Sequence, residues 1–163
     1  MNKPYCIDTN IIIWGIKRQA SEGQREMIVK AENFFKYCDD SKIEIIIPTI
    51  VIAEVLSVEP KENQIKYLKV FNDSFRVCDF DVPSAMKCAE LLQINYSDLK
   101  ELIKNEGIRK DKMKFDFAII ATAITNNASC IYSNDPDLER FAKNLIEVKD
   151  LSSIWTTGQS LFR

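Results

Sequence analysis

Ile43-Glu44-Ile45-Ile46-Ile47-Pro48-Thr49-Ile50-Val51-Ile52-Ala53-Glu54-Val55-Leu56 is the stretch that decides the fold class. Ile43 to Ile47 is β-branched and apolar, the composition of a buried strand. Pro48 then fits the first turn of a helix, where its missing N–H would have no partner in any case. That helix runs through Val58 and is closed by Pro60. The same alternation recurs on either side. Upstream, Tyr5-Cys6-Ile7 reads as a short buried strand that stops at Asp8-Thr9-Asn10, residues suited to capping a helix over Ile11 to Ile16. A second helix follows over Glu22 to Tyr37. Downstream, Lys61 to Phe71 reads as helix, Phe75 to Phe80 as strand, and Pro83 opens a helix through Leu92. From Ile94 to Lys114 the pattern turns polar and basic, with a short helix around Leu99 to Lys104 and a break at Gly107. Phe117, Ile120, Ala121 and Ile124 then fall at i, i+3, i+4 and i+7, the stripe of a helix buried on one face. Ser129 to Tyr132 gives a fourth strand, Pro136 to Phe141 a helix, and Leu145 to Val148 a fifth strand. Short apolar strands alternating with helices predict a three-layer α/β/α domain around a central parallel sheet of about five short strands.

At 163 residues the chain is long enough for one well-buried core and too short for two ordinary domains. The expected division is a domain over residues 1–150 and a C-terminal tail, 151–163, packed on it or partly mobile. No apolar run reaches the roughly 18 residues that cross a bilayer, and the first ten residues lack the apolar core of a secretory signal, so a cytoplasmic protein without membrane contact is expected. Cys6, Cys38, Cys78, Cys88 and Cys130 form an odd set with no C-x-x-C spacing, mostly in apolar stretches, which points to buried reduced thiols. Trp14 reads as core, and Trp155 and Phe162 as core or interface. Histidine is absent. That removes Ser-His-Asp and Cys-His hydrolases, histidine-based nucleases and histidine-ligated zinc or iron. Carboxylate and metal chemistry survives. A net charge of −2 means that a polyanionic substrate would be held by a local basic patch and a metal, not by a coat of charge.

Four carboxylates stand where local structure gives little reason for a charge: Asp8, Glu54, Asp116 and Asp135. Asp8 and Asp135 follow strands directly, at the carboxyl rim where open parallel sheets bind ligands. Glu54 is embedded among Ile50, Val51, Ile52, Ala53, Val55 and Leu56, so it is expected to be buried and to need a cation or a hydrogen-bond network. Asp116 is placed early in the striped helix, where the helix dipole favours an anion. Taken singly, Asp8 and Asp135 also serve as helix caps, and Asp116 as a solvated helix-face residue. Their joint occurrence at one rim points to a site for a hard divalent cation, which binds through carboxylate oxygens and retained waters.

The phrases Ile7-Asp8-Thr9-Asn10, Ile50-Val51-Ile52-Ala53-Glu54, Lys114-Phe115-Asp116-Phe117-Ala118-Ile119-Ile120-Ala121 and Tyr132-Ser133-Asn134-Asp135-Pro136-Asp137-Leu138 resemble, in this order, the PIN-domain ribonucleases. In size the chain is most similar to the VapC-like toxins of toxin–antitoxin modules. The resemblance implies a Mg²⁺- or Mn²⁺-dependent endoribonuclease in which Asp8 and Asp116 are the principal metal ligands, with Glu54 and Asp135 completing the cluster directly or through water. It makes Thr9, Asn10 and Ser133 polar lining and Asp137 a helix-opening cap. It also implies a homodimer and an antitoxin partner whose segment enters the acidic groove. The stretch Ile94 to Lys112 is longer than in compact members of the family.

The chemistry expected is metal-assisted in-line displacement at a phosphodiester, leaving a 5′-phosphate and a 3′-hydroxyl because the ribose 2′-OH is not the nucleophile. Arg109, Lys110, Lys112 and Lys114, just before Asp116, read as phosphate contacts for RNA, with Lys100 and Lys104 further upstream and Tyr96 placed to stack on a base. Any one of these lysines taken alone reads first as a solvated helix face, and only as a group do they point to phosphates. The alternative from another class is a PIN-like RNA- or protein-binding module that has lost catalysis, against which all four acids speak. A haloacid dehalogenase-type phosphatase needs a second Asp where Asn10 stands, and a receiver domain leaves Glu54 and Asp116 without a role.

Overall fold

The computed structural model describes residues 2–94, 96–107 and 109–151. Its strands are β1 (Tyr5–Ile7), β2 (Ile45–Pro48), β3 (Arg76–Cys78), β4 (Cys130–Tyr132) and β5 (Glu147–Lys149). All pairings are parallel, in the order β3-β2-β1-β4-β5. Cys6 is in register with Ile46 on one side and Ile131 on the other. Cys6, Ile7, Ile46, Ile47 and Ile131 are fully buried, as central strands covered on both faces must be. The chain lays down β1, β2 and β3 outward in one direction, then returns to place β4 on the free edge of β1 and β5 beyond it. That reversal opens a crevice at the carboxyl ends of β1 and β4, the position where parallel sheets bind ligands.

Eight helices among the described residues connect and cover the strands: α1 (Thr9–Gly15), α2 (Glu26–Asp40), α3 (Thr49–Ser57), α4 (Lys61–Ser74), α5 (Val82–Ile94), α6 (Tyr96–Glu106), α7 (Lys110–Thr125) and α8 (Pro136–Ala142). α1 packs on α2 and α3, and α7 on α5, α8 and α3. Phe117 of α7 stacks on Phe141 of α8 with ring centroids 5.3 Å apart. The three-layer α/β/α architecture expected from the alternation is the one found. Trp14 is buried, and all five cysteines are buried free thiols. Among the described residues no helix is long and apolar enough to cross a membrane.

The boundaries differ from expectation in informative ways. Pro48 ends β2 and takes the N-cap position of α3 in an extended conformation, so the first helical residue is Thr49. α7 begins at Lys110, inside the run read as polar connection, because Met113 is buried one turn before Phe117 and continues the apolar stripe toward the amino end. Asp116 therefore lies nearly two turns into α7, beyond the reach of the helix-end dipole, which does not account for its charge. Leu151, the first residue of the expected tail, is buried. Trp155, Phe162 and the rest of 152–163 lie outside the described residues, as does the side chain of Tyr96.

Candidate active site

Asp8 directly follows β1 and caps α1. Its backbone is extended (φ −95°, ψ 171°), and its Oδ1 accepts the Thr9 N–H at 2.7 Å. The other oxygen, Oδ2, accepts the Ser133 hydroxyl at 2.6 Å. Ser133 directly follows β4, so this bond crosses the crevice at the sheet's switch point, beside the backbone bond from Asp8 N–H to Tyr132 O (3.0 Å). The Ser133 hydroxyl oxygen in turn accepts the Asp135 N–H at 3.0 Å. Asp135 caps α8 by accepting the Asp137 N–H at 2.9 Å, with Pro136 in the first turn. Both capping aspartates thus do what their local sequence asks and still line the crevice. Across it, the Thr9 hydroxyl donates to Glu54 Oε2 at 2.5 Å. Glu54 is half-buried, not buried as its neighbours implied. Successive helical residues point about 100° apart, so Val51 and Val55 reach the core while Glu54 faces the rim.

Asp116 enters from α7. It is buried, and its Oδ2 has no hydrogen-bond partner among the described residues. Asp8, Glu54, Asp116 and Asp135, with Thr9, Asn10 and Lys112, line one cavity of about 670 Å³. Burial is the main cause of the Asp116 carboxyl's rise to about 8; the Lys112 charge opposes it, and those of Asp135, Asp8 and Glu54 add to it. Burial likewise lifts Asp8 to about 6, against the hydrogen bonds from Ser133 and Thr9 and with the charges of Glu54 and Asp135. Two carboxylates are therefore pushed toward holding protons by a pocket rich in negative charge and poor in solvent.

The basic residues divide. Lys112 lines the cavity and donates to Asp135 (2.9 Å to Oδ2) and Asp137 (2.6 Å). Burial works against its charge, but these bonds outweigh it and hold the ammonium above the usual lysine range. Asp137 thus binds Lys112 as well as opening α8. Arg109 pairs with Asp111, and Lys110 and Lys114 are exposed on a different face of α7 from Lys112 and Asp116. The structure brings only Lys112 of the four to the cavity.

The residues present fit a hard divalent cation. All the donors are oxygens, and the orphaned Asp116 Oδ2 is a buried acceptor awaiting a positive partner. Among the described residues no three acidic or cysteine side chains form a ready-made cage for an ion. The fit is accordingly to an ion held by one or two carboxylates and completed by water, the habit of Mg²⁺.

The sequence pattern of the PIN domain matches residues 5–144. The chain belongs to the PIN domain family. Solved structures with this fold include a chain of the VapBC2 complex of Rickettsia felis bound to a promoter DNA fragment, 20% identical, with 90% of this chain and 97% of that chain covered and a TM-score of 0.60. DNA-bound VapBC from Salmonella typhimurium is 17% identical over 93% of this chain and 100% of that one, with a TM-score of 0.59. VapBC-1 of nontypeable Haemophilus influenzae is 17% identical over 94% and 98%, with a TM-score of 0.56. No curated protein matches the sequence.

In this PIN domain the cavity has a second wall that the sequence reading did not find. Ile13, Gln19, Ala20, Ser21 and Gln24, from the end of α1 and the connection to α2, line it together with the acids. The signal available was a polar run, with Lys17, Arg18 and Glu22 in it, leaving the rim helix that follows Asp8. Its placement over the cavity depends on a turn that one-dimensional periodicity does not carry.

Proposed function

We propose that this PIN domain is a divalent-metal-dependent endoribonuclease, and that it is the toxin of a toxin–antitoxin pair. The observation that carries the reading is Asp116: a buried carboxylate with an unpartnered oxygen, in a cavity shared with Asp8, Glu54 and Asp135. An isolated buried charge costs several kcal/mol, which a structural role would not sustain and a bound cation offsets. Asp8 and Asp116 would hold Mg²⁺ or Mn²⁺, with Glu54 and Asp135 reaching it directly or through water. When bound, such an ion polarises a phosphate oxygen, acidifies the attacking water and stabilises the leaving oxygen.

The protein's own residues do the rest. Ser133 and the Thr9 N–H fix both oxygens of Asp8, and the Thr9 hydroxyl fixes Glu54. Asp135, and Glu54 beside Thr9, would orient water by accepting its hydrogen bonds. Lys112, kept charged by Asp135 and Asp137, stands at the same cavity to meet a phosphate oxygen. Asn10 adds an uncharged donor. The fold neighbours named above are chains of VapBC structures, which supports an antitoxin partner for this chain too; a cytoplasmic homodimer belongs to the same reading.

The test is cleavage of single-stranded RNA in Mg²⁺ or Mn²⁺, with chelator and a phosphomonoester as controls. Wild type should cut RNA to 5′-phosphate and 3′-hydroxyl ends only with metal. Asp8→Asn and Asp116→Asn should each lose about 10²-fold or more while melting cooperatively, as expected when electrostatic stabilisation of the transition state is removed. Full activity in either variant refutes the assignment. Metal-independent RNA binding without cleavage would favour the inactive binding module.

A further inference from the structure

Metal-assisted cleavage of a phosphodiester accounts for one half of the cavity and leaves the other without a task. At about 670 Å³ the cavity is of the size that encloses a whole small ligand. Part of its lining, Ile13 with Gln19, Ala20, Ser21 and Gln24, carries no charge. The connecting segment has three cations and none of them lines the cavity: Lys17 and Arg18 are paired with acids, and Arg25 is exposed at the N-cap of α2. Lys17 pairs with Glu59, with side chains only 4% and 9% exposed, and Arg18 pairs with Glu32 at 2.6 Å. Arg18 is held at φ +55°, a left-handed conformation that an L-residue avoids, at a cost of about 1–2 kcal/mol. The turn it makes is fixed on both sides, by the bond from Lys17 N–H to Ile12 O (3.1 Å) and that from Gln19 N–H to Ile13 O (3.0 Å). Gln24 N–H closes the segment onto Ser21 O at 3.0 Å. The backbone is therefore tied down, while the side chains of Gln19, Ser21 and Gln24 make no hydrogen bond among the described residues.

A wall of this kind does not suit a second phosphate, since none of its own residues is a cation. An amide presents a donor and an acceptor together, the pair that matches the edge of an unpaired base, and Ile13 offers an apolar ledge for the base's face. We infer that Gln19, Ser21 and Gln24 form a nucleobase subsite that seats a base of single-stranded RNA beside the phosphate held at the acidic end, and so set the cleavage-site preference. The inference rests on the ribonuclease reading for its substrate, but the subsite binds nucleotide whether or not the bond is cut.

Its test compares binding of the ribonucleoside 5′-monophosphates with that of ribose 5-phosphate, by calorimetry in Mn²⁺, to wild type and to the Gln19→Ala/Gln24→Ala protein. At least one nucleotide should bind wild type about tenfold more tightly than the base-less sugar, the gain expected of a pair of neutral hydrogen bonds. The double variant, with an unchanged melting temperature, should bind both alike. On a random-sequence RNA the variant should cut with a flattened base preference beside the scissile phosphate. Equal binding of nucleotide and ribose 5-phosphate by wild type, binding of neither, or a base preference that survives in the variant overturns the subsite. Base-dependent binding without RNA cleavage keeps the subsite and removes the ribonuclease. Cleavage with base-indifferent binding does the reverse.

Discussion

Ser133 carries more of the site than its size suggests. It is 3% exposed, its hydroxyl donates to Asp8 and accepts from the Asp135 backbone, and so one oxygen ties together the carboxyl ends of β1 and β4. Ser133→Ala removes both bonds and leaves Asp8 Oδ2 buried with one partner fewer. The expected loss is about 1–3 kcal/mol, that of a buried hydrogen bond to a charged acceptor, read by urea denaturation. The Ser133 bond also opposes the burial that lifts Asp8 to about 6, so its removal should raise that carboxyl further. Protons then compete with metal to a higher pH, and the acid limb of Mn²⁺ binding should move upward. A variant that loses stability with an unmoved acid limb would make Ser133 a strut with no influence on the carboxylate. At this scale the sequence was a good guide to which acids matter and a poor one to their surroundings. Asp8, Glu54, Asp116 and Asp135 stood out because charge is costly at strand ends and in apolar helices. The partners of Lys112 were hidden, because Asp135 and Asp137 lie more than twenty residues away and meet it only through the docking of α8 on α7.

The packing of α1 on α2 turns on Gly15. A Cβ built there would overlap the Phe35 ring, with Phe35 Cδ2 at 2.8 Å and Ala31 Cβ at 3.2 Å. Phe35 has little freedom to yield, since its ring lies 5.6 Å from both Phe34 and Phe75. Gly15→Ala gains about 1 kcal/mol of helix propensity and meets an overpacking cost of about 1–3 kcal/mol. Direct overlap with a hemmed-in ring places this case at the upper end, so the variant should be destabilised; a melting temperature at or above wild type would show that Phe35 moves freely. The elements themselves were legible where pattern and length agree, as in Ile45–Pro48 running into Thr49–Ser57. They were obscured where solvated lysines cover an apolar stripe. Lys110, Lys112 and Lys114 read as connection, although Met113 between them already faces the core of α7. Loops were the least legible: nothing in the composition of Gln19 to Gln24 says which way the chain turns after Gly15.

Across the whole molecule the acidic cavity should make stability depend on pH in a direction that metal reverses. Burial raises Asp8 to about 6 and Asp116 to about 8, whereas both fall to ordinary carboxylate values in the unfolded chain, about 3.9. The folded protein therefore holds these protons more tightly than the unfolded one. Their contribution to stability is complete below about pH 4 and is lost as pH rises through 6 and then 8, when both groups are forced to ionise in place. In chelator, the melting temperature of wild type should fall across this window relative to that of Asp116→Asn, whose side chain has no proton to lose. The gap should reach several degrees, at about 2–4 °C per kcal/mol for a domain of this size. Excess Mn²⁺ binds the ionised forms and not the protonated ones, so the stabilisation it gives wild type should grow from pH 5 to 8 and be much smaller in the variant. Parallel melting curves for the two proteins in chelator would mean that Asp116 does not bear the strain assigned to it. A manganese effect of equal size at both ends of the range would place the ion somewhere other than on these carboxylates.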